Sequence, residues 1–308
     1  VKFGLDIGGT KIAGAVLDAG GRELATARRP NPRGDYAGTI AGASAVVGDL
    51  AAAVGRRPER LGISISGNVQ ADSGQVKLGT LTWIQGRPFR DDVASAVGAP
   101  VRMANDADCF ALSEAADGAG AGARLVYGVI LGTGVGGGFV VEGRLVSGAR
   151  GVAGEVGHIP MPWGTPEELA AGPCSCGRRG CVEALLAGPG LAADLRRATG
   201  RTETEVPDGR AVVALAEAGD AAAEAAMRRY EERLARFLAV LVMTVEPDVI
   251  VFGGGLSNVE RLYRAAPPRM AELVFGGVFD TRLARHVHGD SSGVRGAARL
   301  WDHTGAHP

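Results

Sequence analysis

Three of the four cysteines in this chain fall within eight residues, in Cys174-Ser175-Cys176-Gly177-Arg178-Arg179-Gly180-Cys181-Val182-Glu183, and His158 stands sixteen residues before the first of them. A Cys-x-Cys pair followed, after four intervening residues, by a third cysteine wraps three thiolates around one tetrahedral centre, and the imidazole of His158 completes it. Any fold for this chain must therefore return residue 158 to the 174–181 loop. Thiolates in so compact a run suit zinc, and four protein ligands leave no open position for water, so the metal is expected to be structural. Crowding of this kind fits metal ligation in a reducing compartment better than a disulfide framework. Glu155, in Glu155-Val156-Gly157-His158, and Glu183 are expected to be pinned beside the ligands as rigid acceptors for substrate hydroxyls. Cys109, on a predicted apolar helix face, reads as a packing residue.

With 308 residues, 46% of them hydrophobic, the chain is large enough to bury a sizeable core and is expected to split it between two lobes. A formal net charge of -1 supplies no pull toward nucleic acid or anionic membrane, which leaves a small molecule as the expected partner. No apolar run is expected to approach the roughly 18 residues of a membrane span, and the first residues lack a charged-then-apolar signal pattern. The expectation is a cytoplasmic protein.

Hydrophobic patterning predicts a strand over residues 3–7, a turn at Gly8-Gly9-Thr10-Lys11, a second strand over 12–17 and a hairpin at Asp18-Ala19-Gly20-Gly21. Ile40, Ala43, Val47, Leu50 and Val54 are spaced as the stripe of an amphipathic helix over 37–54. A strand over 61–66, a helix near 91–97, a strand over 101–104 and a helix over 108–116 continue an alternating pattern. At Val126–Leu131 the pattern restarts: an apolar run, a break at Gly132-Thr133-Gly134-Val135-Gly136-Gly137-Gly138, the strand Phe139-Val140-Val141 and a hairpin at Glu142-Gly143. This is either an internal repeat of residues 3–21 or a coincidence of common strand and turn signals. Residues 189–246 read as mainly helical, with a long segment from Ala221 to Val245 stopped by Pro247. A buried strand over 248–252 then runs into Gly253-Gly254-Gly255, and 289–300 reads as a turn feeding a short helix. Pro30-Asn31-Pro32 and residues 162–173 read as irregular loops.

Three glycine clusters each follow a predicted strand. Glycine there lets backbone N–H groups approach phosphate oxygens with no Cβ in the way, and Asp6 with Thr10-Lys11 adds the polar and cationic groups that suit a nucleotide phosphate and its magnesium. The Walker spacing is absent, and Gly132–Gly138 does not open a helix as a dinucleotide fingerprint requires. Asn105-Asp106 lies at a strand end and helix start. It reads either as a helix cap or as a base, Asp106 taking a proton from a substrate hydroxyl while Asn105 orients the ring.

Asp6-Ile7-Gly8-Gly9-Thr10-Lys11, Asn105-Asp106, Gly132-Thr133-Gly134-Val135-Gly136, Glu155-x-Gly157-His158, Cys174-x-Cys176-Gly177-x-x-Gly180-Cys181-x-Glu183 and Gly253-Gly254-Gly255 occur in the order found in bacterial ROK-family sugar kinases. The chain resembles that family over essentially its whole length. The resemblance implies an α/β, two-lobed actin-like (ribonuclease-H-like) ATPase fold with an active-site cleft between lobes, and a homodimer. The lobes are then 1–118, with a terminal helix at about 290–308 packing back on it, and 119–289, which carries the zinc motif. It implies a kinase that uses ATP and Mg2+, with Zn2+ held by His158, Cys174, Cys176 and Cys181. Asp106 is the implied general base, and Gly67, Asn68, Asn105, Asp106, Glu155, His158 and Glu183 are the implied sugar contacts. Gly4, Asp6, Gly8, Gly9, Thr10 and Lys11 with Gly132, Thr133, Gly134, Gly136, Gly137 and Gly138 would hold ATP phosphates, and Gly254 with Gly255 would lie near the adenosine.

Thr82-Trp83-Ile84-Gln85-Gly86-Arg87-Pro88-Phe89, Pro162-Trp163 and residues 288–298 are most similar to the fructokinase and mannokinase subgroup. The expected substrate is therefore D-fructose or D-mannose, converted to the 6-phosphate, with N-acetylglucosamine second and glucose third. Ser66-Gly67 replaces the family's Pro-Gly, and Thr80 stands where relatives place an asparagine that helps grip the sugar. Both departures touch the sugar side and leave phosphoryl transfer intact. Two other classes compete. One is a sugar-responsive transcriptional regulator, whose helix-turn-helix would have to precede the strand that starts here at residue 3. The other is a sugar-binding relative of weak activity.

Overall fold

The computed structural model describes residues 1–70, 73–77 and 79–302; the expected extension of the terminal helix to 308 lies outside them. The chain begins β1 (Lys2–Ile7), β2 (Lys11–Leu17), β3 (Glu23–Pro30), α1 (Tyr36–Val54), β4 (Leu61–Ile65), β5 (Asn68–Val69), β6 (Val76–Lys77), α2 (Phe89–Val97), β7 (Val101–Asn105) and α3 (Asp106–Asp117). The pattern restarts at β8 (Leu125–Leu131), β9 (Val135–Val141) and β10 (Arg144–Leu145), followed by α4 (Pro166–Leu169), α5 (Val182–Leu186), α6 (Gly188–Thr199), α7 (Gly209–Glu217) and α8 (Ala221–Val245). It closes with β11 (Val249–Gly253), α9 (Arg261–Ala271), β12 (Arg282–Arg285) and α10 (Ser292–Arg299).

Two five-stranded sheets result, with strand orders β3-β2-β1-β4-β7 and β10-β9-β8-β11-β12. In the first, β2 runs antiparallel to β1 and β3, while β4 runs parallel to β1 and β7. In the second, β9 runs antiparallel to β10, and β11 runs parallel to β8 and β12. The recurrence seen at 3–21 and 126–143 is thus one strand order used twice, each copy built around a strand that ends in a glycine turn.

The chain divides into two compact units. The first comprises Val1–Gly122, Gly138–Gly154 and the chain from Val287 onward; the second comprises Ala123–Gly137 and Glu155–His286. The expected division at 118/119 leaves 138–154 with the second part. In the structure Gly138 lies against the first turn of α3, where a Cβ would come 2.7 Å from Ala107 O. Val140 is buried with Ala111 and Leu112 of the same helix. Those contacts draw the segment into the first unit.

In the first unit the core gathers Phe3, Leu5 and Ile7 of β1, Ile63 and Ile65 of β4, and the α1 stripe Ala43, Val46, Val47 and Leu50. Asp35 caps α1 by accepting from Gly38 N–H, and Gly55, at φ 69°, ends it. Against expectation, α1 is long and apolar enough by composition to cross a membrane, with a mean hydropathy of 1.5. The reason is its run of alanines, and its larger apolar side chains are committed to this core. Helix α10 approaches the sheet and α3 at three glycines: a Cβ at Gly4 would overlap Val294 O, one at Gly62 would overlap Ala297 O, and one at Gly296 would overlap Cys109 O. Gly4 is therefore required by helix packing. Cys109 is fully buried under the same helix. Glu114 of α3 anchors the approach to α10 by accepting from Val287 N–H (3.0 Å), His288 N–H (3.2 Å) and Ser292 Oγ (3.0 Å).

Candidate functional site

The first unit carries one half of the candidate residues. After β1 the chain turns at Gly8, whose N–H donates to Lys11 O at 2.9 Å. Asn31 braces this turn: its N–H donates to Thr10 O (3.0 Å), its Nδ2 donates to Gly8 O (2.7 Å), and its Oδ1 accepts from Thr39 Oγ1 (2.8 Å). Trp83 Nε1 in turn donates to Thr39 Oγ1 at 3.0 Å. Asn31 is buried, and the Pro30-Asn31-Pro32 loop is the turn's clamp. Asp6, at the end of β1, accepts from Ser64 Oγ at 2.8 Å. Burial raises its pKa, with the Ser64 hydrogen bond and the Lys11 charge opposing the rise.

The helix-cap reading of Asn105-Asp106 is met. Asn105 is the N-cap of α3, accepting from Ala107 N–H at 2.8 Å, and its Nδ2 donates to Gly67 O at 3.0 Å. Asp106 is the first helical residue, exposed, with Oδ1 accepting from the same Ala107 N–H. Gly67 has φ 118° and crosses Gly79 so closely that a Cβ would lie 2.6 Å from Gly79 Cα; Gln85 Nε2 holds Gly79 O at 2.6 Å. Asn68 is buried, and its Nδ2 donates to Gly151 O and Arg150 O, bracing the 150–151 loop.

The second unit carries the other half. Here the turn is Gly132-Thr133-Gly134 alone, with Gly132 N–H donating to Gly134 O at 3.0 Å. Gly136, Gly137 and Gly138 lie within β9, a correction to the seven-residue glycine turn expected. The turn is surrounded by backbone. Gly188, opening α6, donates its N–H to Gly132 O at 2.8 Å. Gly254, at φ 78°, passes so near that a Cβ would lie 2.5 Å from Leu131 O and 2.9 Å from Gly132 N. Gly209, opening α7, approaches Gly188. Next to Gly209, the exposed guanidinium of Arg210 lies 3.9 Å from the Cβ position of Gly255 and makes no hydrogen bond or ion pair among the described residues. Gly188, Gly209 and Arg210 were not singled out by sequence reading; the signal available was glycine at two helix starts.

The cysteine motif converges as its spacing demands. Met161 N–H donates to Gly180 O and Val182 N–H to Ile159 O, which zips 159–161 against 180–182 and returns His158 to the loop. Gly177 (φ 84°) and Gly180 (φ 65°) take the left-handed conformations that the tight loop needs. One donor atom from each of His158, Cys174, Cys176 and Cys181 lies within 4.8 Å of all the others. Cys176 Sγ is 3.7 Å from Cys181 Sγ, and His158 Nδ1 is 3.3 Å from Cys174 Sγ. A tetrahedral centre with metal–sulfur bonds of about 2.3 Å sets sulfurs roughly 3.8 Å apart, so the donor set fits one such ion. The hydrogen bond from Arg178 holds the Cys176 thiol down at about 6, a thiolate ready for a metal.

Glu183 ties this knuckle to the glycine turn. Its Oε1 accepts from Ser175 Oγ (2.8 Å) and Cys174 Sγ (3.4 Å), and its Oε2 accepts from Val135 N–H (3.2 Å). Glu155 Oε2 lies 3.9 Å from His158 Nε2. Burial raises the Glu155 pKa, with the His158 interaction opposing and the Glu183 charge adding to it. Glu155, His158 and Glu183 thus gather in one unit, and Asp6, Asn105 and Asp106 in the other.

Two glycine-turned sheets of one order, an Asn-Asp helix start and a Cys3His knuckle beside Glu-x-Gly-His define the class of actin-like sugar-kinase folds. Residues 2–304 match the ROK family, and the chain belongs to it. It is 35% identical over 307 residues to an N-acetyl-D-glucosamine kinase of Vibrio vulnificus, covering 97% of this chain and 98% of that protein. Among solved structures it is similar to a ROK hexokinase from Thermus thermophilus, with 32% identity, a TM-score of 0.86 and coverage of 97% and 96% of the two chains. A ROK glucokinase from Streptomyces griseus, solved with glucose and AMPPNP, is 29% identical with a TM-score of 0.78, covering 97% and 98%.

Proposed function

We propose that this ROK-family sugar kinase phosphorylates N-acetylglucosamine at the expense of ATP. The observation that carries the reading is the 35% identity with an N-acetylglucosamine kinase over essentially both whole chains. It displaces the expectation of fructose or mannose, which rested on short segments at 82–89, 162–163 and 288–298. The same identity favours an enzyme over a transcriptional regulator.

Asp106 takes the proton of the attacking hydroxyl, and Asn105 fixes the helix start that presents it. Glu155 and Glu183 accept from sugar hydroxyls. His158 would be a fixed donor: with Nδ1 holding a metal, Nε2 would carry the proton. The turns at Gly8–Lys11 and Gly132–Gly134 present backbone amides to the nucleotide phosphates, and Arg210 adds a cation at the second turn. Asp6, beside Lys11, suits the magnesium that accompanies ATP, an ion that neutralises charge on the transferring phosphoryl group. Cys174, Cys176, Cys181 and His158 would hold zinc, and with four protein ligands such an ion would be structural. A homodimer belongs to this reading and is checked by sedimentation.

An ADP-release assay over a sugar panel tests it. N-acetylglucosamine is expected to give the highest kcat/KM, and no turnover on any hexose or amino sugar removes the kinase reading altogether. The second reading, a glucose kinase, draws on the Thermus and Streptomyces structures; it prevails if glucose outruns N-acetylglucosamine in the same panel.

A further inference from the structure

The first glycine turn, Gly67 and Asn105-Asp106 stand at the ends of three neighbouring strands, β1, β4 and β7. The strands run parallel, and the last pairs of their ladders put Ile7 opposite Ile65 and Ile65 opposite Asn105. The sheet thus fixes the three strand ends in one row. Beyond that row the chain leaves as loops, and a loop keeps a set position only where other bonds hold it.

Between the ends of β4 and β7 the link is direct: Asn105 Nδ2 donates to Gly67 O at 3.0 Å. Between the ends of β1 and β4 it runs through a chain of side chains. Gly67 rests on Gly79, whose carbonyl accepts from Gln85 Nε2 at 2.6 Å. Two residues before Gln85, in the 3-10 turn Thr82–Ile84, Trp83 donates from Nε1 to Thr39 Oγ1 at 3.0 Å. Thr39, in the first turn of α1, donates to Asn31 Oδ1 at 2.8 Å and shares its hydrogen with Asp35 O at 2.8 Å. Asn31 Nδ2 then donates to Gly8 O at 2.7 Å.

The direction of the chain is dictated by its ends. An indole N–H only donates and a backbone carbonyl only accepts. The Asn31 amide must therefore turn Nδ2 to Gly8 and leave Oδ1 for the Thr39 hydroxyl, whose lone pair is left for Trp83. Thr39 is fully buried, Asn31 nearly so, and Trp83 is half-buried against the core of the first unit. A valine at 39 and a phenylalanine at 83 would fill much the same space with no polar group to satisfy, so burial alone does not call for the hydroxyl or the indole nitrogen. Once there, each buried partner penalises the loss of the other.

Resting on the kinase reading, we propose that Trp83 and Thr39 are positioning residues for phosphoryl transfer. Their hydrogen bond ties the loop that supports Gly67, and through Asn105 the helix start carrying Asp106, to the turn that presents amides to the nucleotide phosphates. What it sets is the distance between the base and the phosphoryl donor. A misplacement of about 1 Å in such a distance costs on the order of 10²-fold in rate. Each substrate is still held by its own contacts, and Asn31 still holds Gly8 and Thr10 when the Trp83 bond is broken, so the tie acts on transfer and not on binding.

Trp83→Phe, Thr39→Val, the double variant and Thr39→Ser test this in the full chain, with ATP and N-acetylglucosamine, or glucose where it proves the better substrate. Two quantities are read well below each variant's melting temperature: the single-turnover rate of phosphoryl transfer, and the calorimetric Kd for the sugar and for a non-hydrolysable ATP analogue. The expected result is a transfer rate lowered about tenfold or more by Trp83→Phe and by Thr39→Val, with no further loss in the double variant. Thr39→Ser, which keeps the hydroxyl, should recover the rate, and both Kd values should stay at wild type throughout. Trp83→Phe, at a half-buried position, decides alone if Thr39→Val does not fold. A transfer rate unchanged in Trp83→Phe, losses that add in the double variant, or an effect confined to Kd or melting temperature overturns the tie while wild-type turnover, and with it the kinase reading, stands. No turnover by wild type on any sugar of the panel removes the kinase reading and the tie with it.

Discussion

The turns that end β1 and β8 occupy the same place in two sheets of the same strand order, and they are held by different means. The first is clamped mainly by side chains, Asn31 Nδ2 on Gly8 O, Thr39 on Asn31 and Trp83 on Thr39, with the Asn31 N–H on Thr10 O. The second is held by backbone crossing backbone at Gly188 and Gly254, and by Glu183, which links the Val135 amide to the cysteine knuckle. A hydrogen-bond clamp needs only its own side chains. A turn braced through a loop that could hold a metal would depend on that metal, and the two turns should therefore fail under different treatments.

Asp106→Asn, which touches neither turn, gives the largest expected effect. It should lower kcat by about 10²–10⁴-fold with the melting temperature unchanged; a loss of less than tenfold in the ADP-release assay removes Asp106 as the base. Cys176→Ser, or removal of the metal by chelation, should loosen the second turn only. The expected outcome is a fall in activity of about 10–100-fold and a lower melting temperature, against one equivalent of zinc by elemental analysis in the untreated protein. A metal-free protein with the original melting curve and nucleotide affinity would break the comparison. Asn31→Ala is the converse, expected to cost about 1–3 kcal/mol in denaturant unfolding with zinc content intact. Arg210→Ala should raise the KM for ATP about tenfold, the loss of one charge-assisted contact, while leaving that for the sugar alone; equal KM values retire its role at the second turn.

The smallest effect is a pH dependence confined to the second unit. Burial works to raise the pKa of Glu168, but the hydrogen bonds from Arg236 and Arg233 outweigh it and hold the group at about 2. A carboxylate depressed in the folded state contributes stability that is present above its ordinary range and lost as pH falls through the folded value. Melting temperature should therefore decline between about pH 4.5 and 2, and Glu168→Gln should flatten that decline. A slope unaltered by the substitution assigns it to other carboxylates.

Elements with strong local periodicity were legible from sequence. The stripe of α1, the long α8 and the strands β1, β2 and β8 formed where patterning placed them, because burying one face of a helix or strand needs apolar residues at a fixed interval. Helix α9 was not read, since Pro267 and Pro268 lie within it, and β12, four residues with one buried, carries too short a pattern. Asn31 passed as a loop residue because an asparagine between two prolines looks the same whether exposed or buried. Gly188 and Gly209 look like ordinary helix starts until the turn they touch is in place.

What the sequence determined by itself is chemistry that travels in short runs: the convergence of His158 with Cys174, Cys176 and Cys181, the Asn-Asp start of α3 and the glycine turns after β1 and β8, each dictated by spacing or by the absence of a side chain. Tertiary structure alone decided that 138–154 belongs with the first unit, that Gly4 serves α10, that Asn68 grips a loop and that Arg210 stands by the second turn. Those outcomes depend on contacts between residues far apart in the chain, and the free energy of such a contact is a property of both partners, which no local pattern records.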